Sequence, residues 1–191
     1  YTMSYTGVNA GMVIGVADDP GMHSSQNEQD SRFYAKFAMI PAFEPSNQQE
    51  AYDMMKTAFE YSEAINEPVV LRIVTRLAHS RAGVETGELL NENKMNASTD
   101  QWVLLPGIAK KKYAALIDKQ PAMIEASEKS IYNKVETVAD KKLGVIACGI
   151  GYNYVKEAVG DNANILKISQ YPLPAEKVMQ LAKECEISHL S

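Results

Sequence analysis

Apolar residues come in short unbroken runs rather than in alternation. Met12-Val13-Ile14-Gly15-Val16-Ala17, Val69-Val70-Leu71-Arg72-Ile73-Val74-Thr75, Leu143-Gly144-Val145-Ile146-Ala147-Cys148 and Asn164-Ile165-Leu166-Lys167-Ile168 are of this kind. Such runs mark strands covered on both faces, as in a parallel sheet with helices outside. Between the first two lies a helical period: Ala51, Met54, Met55, Ala58 and Phe59 at i, i+3, i+4, i+7 and i+8. Ser46-Asn47-Gln48-Gln49 reads as its capping box, with Ser46 accepting from the N3 amide and Gln49 reaching back. Asn66-Glu67-Pro68 stops it. A short helix is expected over 30–37, and a short strand where prolines bracket Ala42-Phe43-Glu44. Residues 12–75 thus read as strand, loop, helix, strand, helix, strand: an α/β fold with a parallel sheet.

Residues 76–106 lose the pattern and read as a long connection with one strand at Trp102-Val103-Leu104-Leu105. From 107 to about 139 the chain reads as helical, with Pro121 compatible with a break and a new first turn. Ile124, Ser127, Ile131, Val135 and Val138 form a narrow seam, as in a connector packed across two domains. A second α/β unit starts at Leu143, continues through a helix carrying Tyr154, Val155, Ala158 and Val159, and ends with a helix opened by Pro174. Only two strands of this unit are readable before Ser191, too few to cover a core, so it reads as cut. The start at Tyr1-Thr2-Met3 likewise suggests an excised piece. The expected division is 1–78, 79–141 and 142–191.

Composition narrows the function. The chain has 191 residues, 46% hydrophobic and 23% charged, enough for a real core. Lys plus Arg is 19 against 24 for Asp plus Glu, a net charge of −5, which argues against nucleic-acid and anionic-membrane partners. Lys110-Lys111-Lys112 reads as a solvated helix face. Cys148 and Cys185 lack zinc or iron–sulfur spacing, and Cys148 reads as a small core residue. No run reaches membrane-spanning length and no signal pattern opens the chain, so a cytoplasmic location is expected.

Candidate chemistry concentrates in the polar stretch that leaves the first strand: Asp18-Asp19-Pro20-Gly21-Met22-His23-Ser24-Ser25-Gln26-Asn27-Glu28-Gln29-Asp30-Ser31-Arg32. The carboxyl end of a parallel strand is where open α/β sheets bind ligands. A solvated surface loop would have the same composition. His23 suits carbonyl polarisation, or is simply exposed. Arg32 suits a bidentate grip on a carboxylate, or a helix-surface salt bridge. Asp18 and Asp19 suit Mg²⁺, or ordinary turn chemistry. Ser24 lacks a nucleophile-elbow context. Gly149-Ile150-Gly151 lacks the third glycine of a dinucleotide fingerprint, because position 154 is Tyr, and a tight strand-to-helix turn explains it better.

That long loop resembles the polar loop of the large subunit of indolepyruvate:ferredoxin oxidoreductases, members of the 2-oxoacid:ferredoxin oxidoreductase family. The likeness continues through Tyr34-Ala35-Lys36, Glu44-Pro45-Ser46, Gln49-Glu50-Ala51, Leu71-Arg72, Thr75-Arg76 and His79-Ser80. It resumes at Gly149-Ile150-Gly151-Tyr152-Asn153-Tyr154-Val155-Lys156-Glu157-Ala158 and Tyr171-Pro172-Leu173-Pro174. The resemblance implies the latter half of a thiamine-diphosphate pyrimidine-binding-type domain over 1–78. It further implies a connector over 79–141 and the start of a transketolase-C-like α/β domain from 142. It implies a cytoplasmic anaerobe's enzyme of aromatic amino acid degradation, which oxidatively decarboxylates aryl 2-oxoacids to acyl-CoA. The cofactors would be thiamine diphosphate, Mg²⁺ and iron–sulfur clusters. The partners would be a smaller beta subunit, ferredoxin, CoA and the rest of the same subunit. The activating carboxylate, the diphosphate motif and the cysteine-rich segment are expected outside this chain, so it is expected to carry no catalytic, cofactor or metal residue and not to turn over alone. Its contribution would be substrate binding: Arg32 on the 2-oxoacid carboxylate, with His23, Ser24, Gln26 and Asn27 lining the pocket. The competing expectation is a stand-alone α/β module that binds a nucleotide or phosphate at the helix after Gly149-Ile150-Gly151, or one that serves subunit assembly.

Overall fold

A computed structural model describes residues 1–89, 102–140 and 142–190. The first part runs α1 (Thr2–Thr6), β1 (Val13–Asp18), α2 (Ser31–Ala38), β2 (Ala42–Phe43), α3 (Gln48–Ile65), β3 (Val69–Val74) and α4 (Thr75–Ala78). The long helix α5 (Pro106–Glu128) follows, then β4 (Val135–Glu136), β5 (Leu143–Cys148) and α6 (Gly151–Val159). The chain closes with β6 (Asn164–Ile168), β7 (Gln170–Tyr171), α7 (Ala175–Glu184) and β8 (Ile187–Leu190).

Two four-stranded sheets result, ordered β1-β3-β2-β7 and β4-β6-β5-β8. In the first, β3 is parallel to both β1 and β2, with Val13 opposite Val69 and Phe43 opposite Leu71. β7 crosses over from the second half of the chain and pairs antiparallel with β2, Ala42 opposite Tyr171. In the second, β5 lies parallel between β6 and β8, and β4 runs antiparallel beside β6.

The α/β class and most elements match the hydrophobic pattern. Met54 and Ala58 of α3 pack with Phe43, Val69, Leu71 and Tyr132 on one face of the first sheet. Ala35, Ala38, Ile40, Ala42 and Val70 fill the other. Ile146, Leu166, Ile168, Leu181 and Cys185 make the core of the second sheet.

Several expectations are corrected. β1 sits at a sheet edge and is mostly half-buried, unlike β3, because it pairs on one side only among the described residues. The cap of α3 is shifted by one residue: Asn47 accepts from the Glu50 amide, and Glu50 reaches back to the Ser46 amide and hydroxyl. Trp102 to Leu105 form no strand, because Leu105 is already the N-cap of α5 and Pro106 its first turn. Pro121 lies inside a continuous α5, where burial of Leu116 and Met123 on either side offsets the lost backbone bond. The helix ends at Glu128, so the seam through Ile131, Val135 and Val138 does not exist. What ends it is Asn133, fully buried, whose amide donates to Ser127 O and Gln170 O and accepts from the Ser169 and Gln170 amides. The second sheet has four strands rather than two. The middle of the connection, 90–101, lies outside the described residues.

Candidate functional site

The carboxyl ends of the parallel strands of both sheets meet. Glu44, just past β2, donates its amide to Ser169 O, just past β6, at 2.8 Å. Gly149, just past β5, donates to Ile168 O at 3.0 Å. Such a junction of strand ends is where α/β proteins place ligands.

A buried ionic cluster fills it. Arg72 of β3 is 4% exposed and bridges Asp18, the last residue of β1, and Glu44. Asp18 also accepts from the Ser31 amide at 2.8 Å and the Ser31 hydroxyl at 2.5 Å. Glu44 accepts from the Tyr171 hydroxyl at 2.9 Å. Arg32, in the first turn of α2, presents Nε and Nη2 to the two oxygens of Asp30 at 2.7 and 2.6 Å. Its Nη1 lies 3.7 Å from Glu44. Asp30 is in turn the N-cap of α2, accepting from the Arg32 amide. Cys148 is half-buried beside Tyr171, and burial pushes its thiol up.

The polar loop is organised from beneath. Asp19 accepts from the Ser24 and Ser25 amides at 2.7 and 2.8 Å and from the Thr75 hydroxyl at 2.7 Å. The Ser24 amide above all holds its carboxyl far below the usual range. His23, Ser24, Gln26 and Asn27 ride on the outside of this turn, exposed. Of the five substrate-binding residues that the resemblance implies, Arg32 alone reaches the cluster, where Asp18 also lies. Asp18 and Asp19 spend their oxygens on donors, and among the described residues no group of three or more His, Cys, Asp or Glu could hold a metal.

Arg72, Glu44 and Tyr171 join the cluster although sequence reasoning gave them no role. The available signal was a charge inside an apolar run, which must find a partner when buried. Lys167 of β6 repeats it: 4% exposed, it pairs with Glu50, donates to Ser46 Oγ at 2.9 Å and lies 4.7 Å over the Tyr152 ring. Asn153 of α6 donates to Ser46 O at 2.7 Å, so charge and amide contacts tie the second sheet to the start of α3.

Burial raises the Asp18 carboxyl, but donors from Ser31 and Arg72 outweigh it and hold the group below its usual value. Arg32 does the same for Asp30. At Glu50, Lys167 and Ser46 outweigh burial. Groups depressed in the folded state contribute stability above their unfolded pKa and lose it as pH falls through the folded value. The urea midpoint is therefore expected to hold near neutrality and to fall steadily below about pH 4. A midpoint unchanged down to pH 2.5 contradicts this.

Gly149-Ile150-Gly151 does not present an open anion cradle. Gly149 has φ of 50°, and a Cβ there would lie 2.5 Å from Glu44 Cγ. The Glu44 carboxylate packs against the turn, and an anionic phosphate would meet it there. The two cysteines, on β5 and after α7, are too few for an iron–sulfur thiolate set. These residues do not fit a diphosphate or a cluster.

No family model matches the chain. Curated relatives do. The chain is 44% identical over 186 residues to the indolepyruvate oxidoreductase subunit IorA of Pyrococcus abyssi, covering 91% of this chain and 29% of that subunit. It is 40% identical over 193 residues to IorA of Methanothermobacter marburgensis, covering 97% and 31%. By sequence, the chain is similar to a segment of the IorA subunit. It spans about three-tenths of the length of the curated relatives it matches. Its fold resembles that of a 2-oxoglutarate:ferredoxin oxidoreductase from Magnetococcus marinus, solved with 2-oxoglutarate, coenzyme A and succinyl-CoA bound. The TM-score is 0.66 at 14% identity, over 99% of this chain and 42% of that one. Among the described residues, no helix is long and apolar enough to cross a membrane.

Proposed function

We propose that this chain is the substrate-side portion of a cytoplasmic indolepyruvate:ferredoxin oxidoreductase large subunit. The observation that carries the reading is 40–44% identity to IorA subunits over some nine-tenths of the chain. On this reading the first sheet is the latter half of a pyrimidine-binding-type domain, and the second begins a transketolase-C-like domain. Thiamine diphosphate with Mg²⁺, bound elsewhere in the parent, would supply oxidative decarboxylation, and iron–sulfur clusters there the electron path to ferredoxin. A smaller beta subunit, CoA and ferredoxin would be the partners of the whole enzyme. The isolated chain would not turn over.

The residues here bind and orient. Asp30 takes Nε and one Nη2 hydrogen of Arg32, which fixes the guanidinium plane beside the loop. The side chain is still 33% exposed, so an aryl 2-oxoacid carboxylate can reach it from the loop side. His23, Ser24, Gln26 and Asn27 would face the rest of the substrate.

The whole subunit carrying this chain, joined by its partner subunit, is expected to reduce ferredoxin in an indolepyruvate-dependent reaction. Silence with every aryl 2-oxoacid overturns the reading. Within that enzyme, Arg32→Ala is expected to raise KM for the 2-oxoacid with little change in kcat. A charge-assisted bond is worth about 1.5–3 kcal/mol, or roughly ten- to a hundredfold. Unchanged KM and kcat remove Arg32 from the site.

A further inference from the structure

The ion pairs around Arg32 do not balance. Asp18, Glu44 and Asp30 face Arg72 and Arg32, so three carboxylates share two guanidinium groups. Burial pushes the neighbouring Cys148 thiol and Tyr171 hydroxyl up, so neither adds charge near pH 7. An anionic ligand added to Arg32 would put four carboxylates on two cations, with Asp18, Glu44 and Arg72 shielded from water. The free edge of Arg32 offers no escape, because its Nη1 already lies 3.7 Å from Glu44. One carboxylate must give way.

Burial decides which. The side chains of Asp18 and Glu44 are 1% and 5% exposed and both are held by Arg72. That of Asp30 is 28% exposed and rests on Arg32, with Arg72 as far as 3.9 Å away. It sits at the solvent end of the cluster, so of the three it can exchange its partners, the Arg32 fork and the capped Arg32 amide, for water at the least cost. Its Nε and Nη2 contacts are those a ligand carboxylate makes in a bidentate pair.

We propose that Asp30 is a built-in stand-in for the ligand's carboxylate, holding the Arg32 fork until the carboxylate of a 2-oxoacid displaces it. This rests on the reading of Arg32 given above. Asp30 is then a positioning residue that sets affinity by competition, and its removal tightens binding. A residue that only aligned Arg32 would give the opposite sign.

The test compares the 191-residue chain with Asp30→Asn, which keeps an N-cap acceptor and loses the charge. Phenylpyruvate is titrated at pH 7 while the Arg32 Nε–H resonance is followed by NMR. Asp30→Asn is expected to bind at least about tenfold more tightly than wild type, with the Arg32 resonance shifting in both. Equal or weaker binding by Asp30→Asn, or no binding by either protein, overturns the proposal. Asp30→Ser, also a good N-cap, replaces Asp30→Asn if that variant melts early. Arg32→Gln separates the two readings. If it abolishes binding while Asp30→Asn weakens it, Arg32 stays in the site and the exchange fails. If Asp30→Asn binds phenylpyruvate equally well with Arg32→Gln added, the Arg32 reading fails and the exchange with it.

Discussion

Arg72→Met is expected to lower the unfolding free energy by about 3–5 kcal/mol, the usual cost of stranding buried charges by removing their partner. The side chain is 4% exposed and bridges Asp18 and Glu44, which are nearly as buried. Methionine fills much of the space but leaves two carboxylates facing each other. They must then take up protons or drag water into the junction, and either route loosens both sheets. Arg72→Lys is expected to rescue little, since one ammonium cannot serve two carboxylates through a planar fork. Urea unfolding at pH 7 measures both. A loss under about 1 kcal/mol for Arg72→Met would mean that the cluster is already wet.

Gly149→Ala is expected to cost about 2–4 kcal/mol. The left-handed backbone contributes roughly 1–2 of this. The remainder comes from Glu44, whose Cγ, Cδ and Oε1 all lie within 2.7 Å of the new methyl position. Glu44 cannot swing aside cheaply, because Arg72 and the Tyr171 hydroxyl hold its two oxygens. Adding Glu44→Ala should therefore recover part of the loss, a coupling that a double-mutant cycle reads directly. Additive losses would place the whole cost in the backbone.

These two residues also show what was legible in the chain. Unbroken apolar runs located β3, β5 and β6, because a strand buried on both faces needs apolar residues throughout. The period of α3 was equally plain, since Met54 and Ala58 face one core. The end of α5 was not, because it depends on Asn133 meeting backbone groups of residues 169 and 170. The tight turn at Gly149 was legible, but the side chain that closes on it lies 105 positions earlier and leaves no mark in the local spacing. The loop advertised itself by composition, yet its middle mostly faces water; only its two ends, Asp18, Asp30 and Arg32, join the cluster, and their partners Glu44 and Arg72 come from elsewhere in the sheet. Local pattern reports which face is buried; pairing between distant elements has no local signature.

β7 has a mechanical consequence. Its two residues complete the edge of the first sheet beside β2, yet they lie between β6 and α7 of the other unit. Motion that opens the gap between the two sheets must peel this short ladder residue by residue, together with the Glu44 to Ser169 backbone bond next to it. The contacts of Lys167 and Asn153 with Ser46 would have to break as well. The two units are therefore joined as by a tenon set in a mortise: one carries a piece of the other's sheet, and neither parts from it without tearing that sheet's edge.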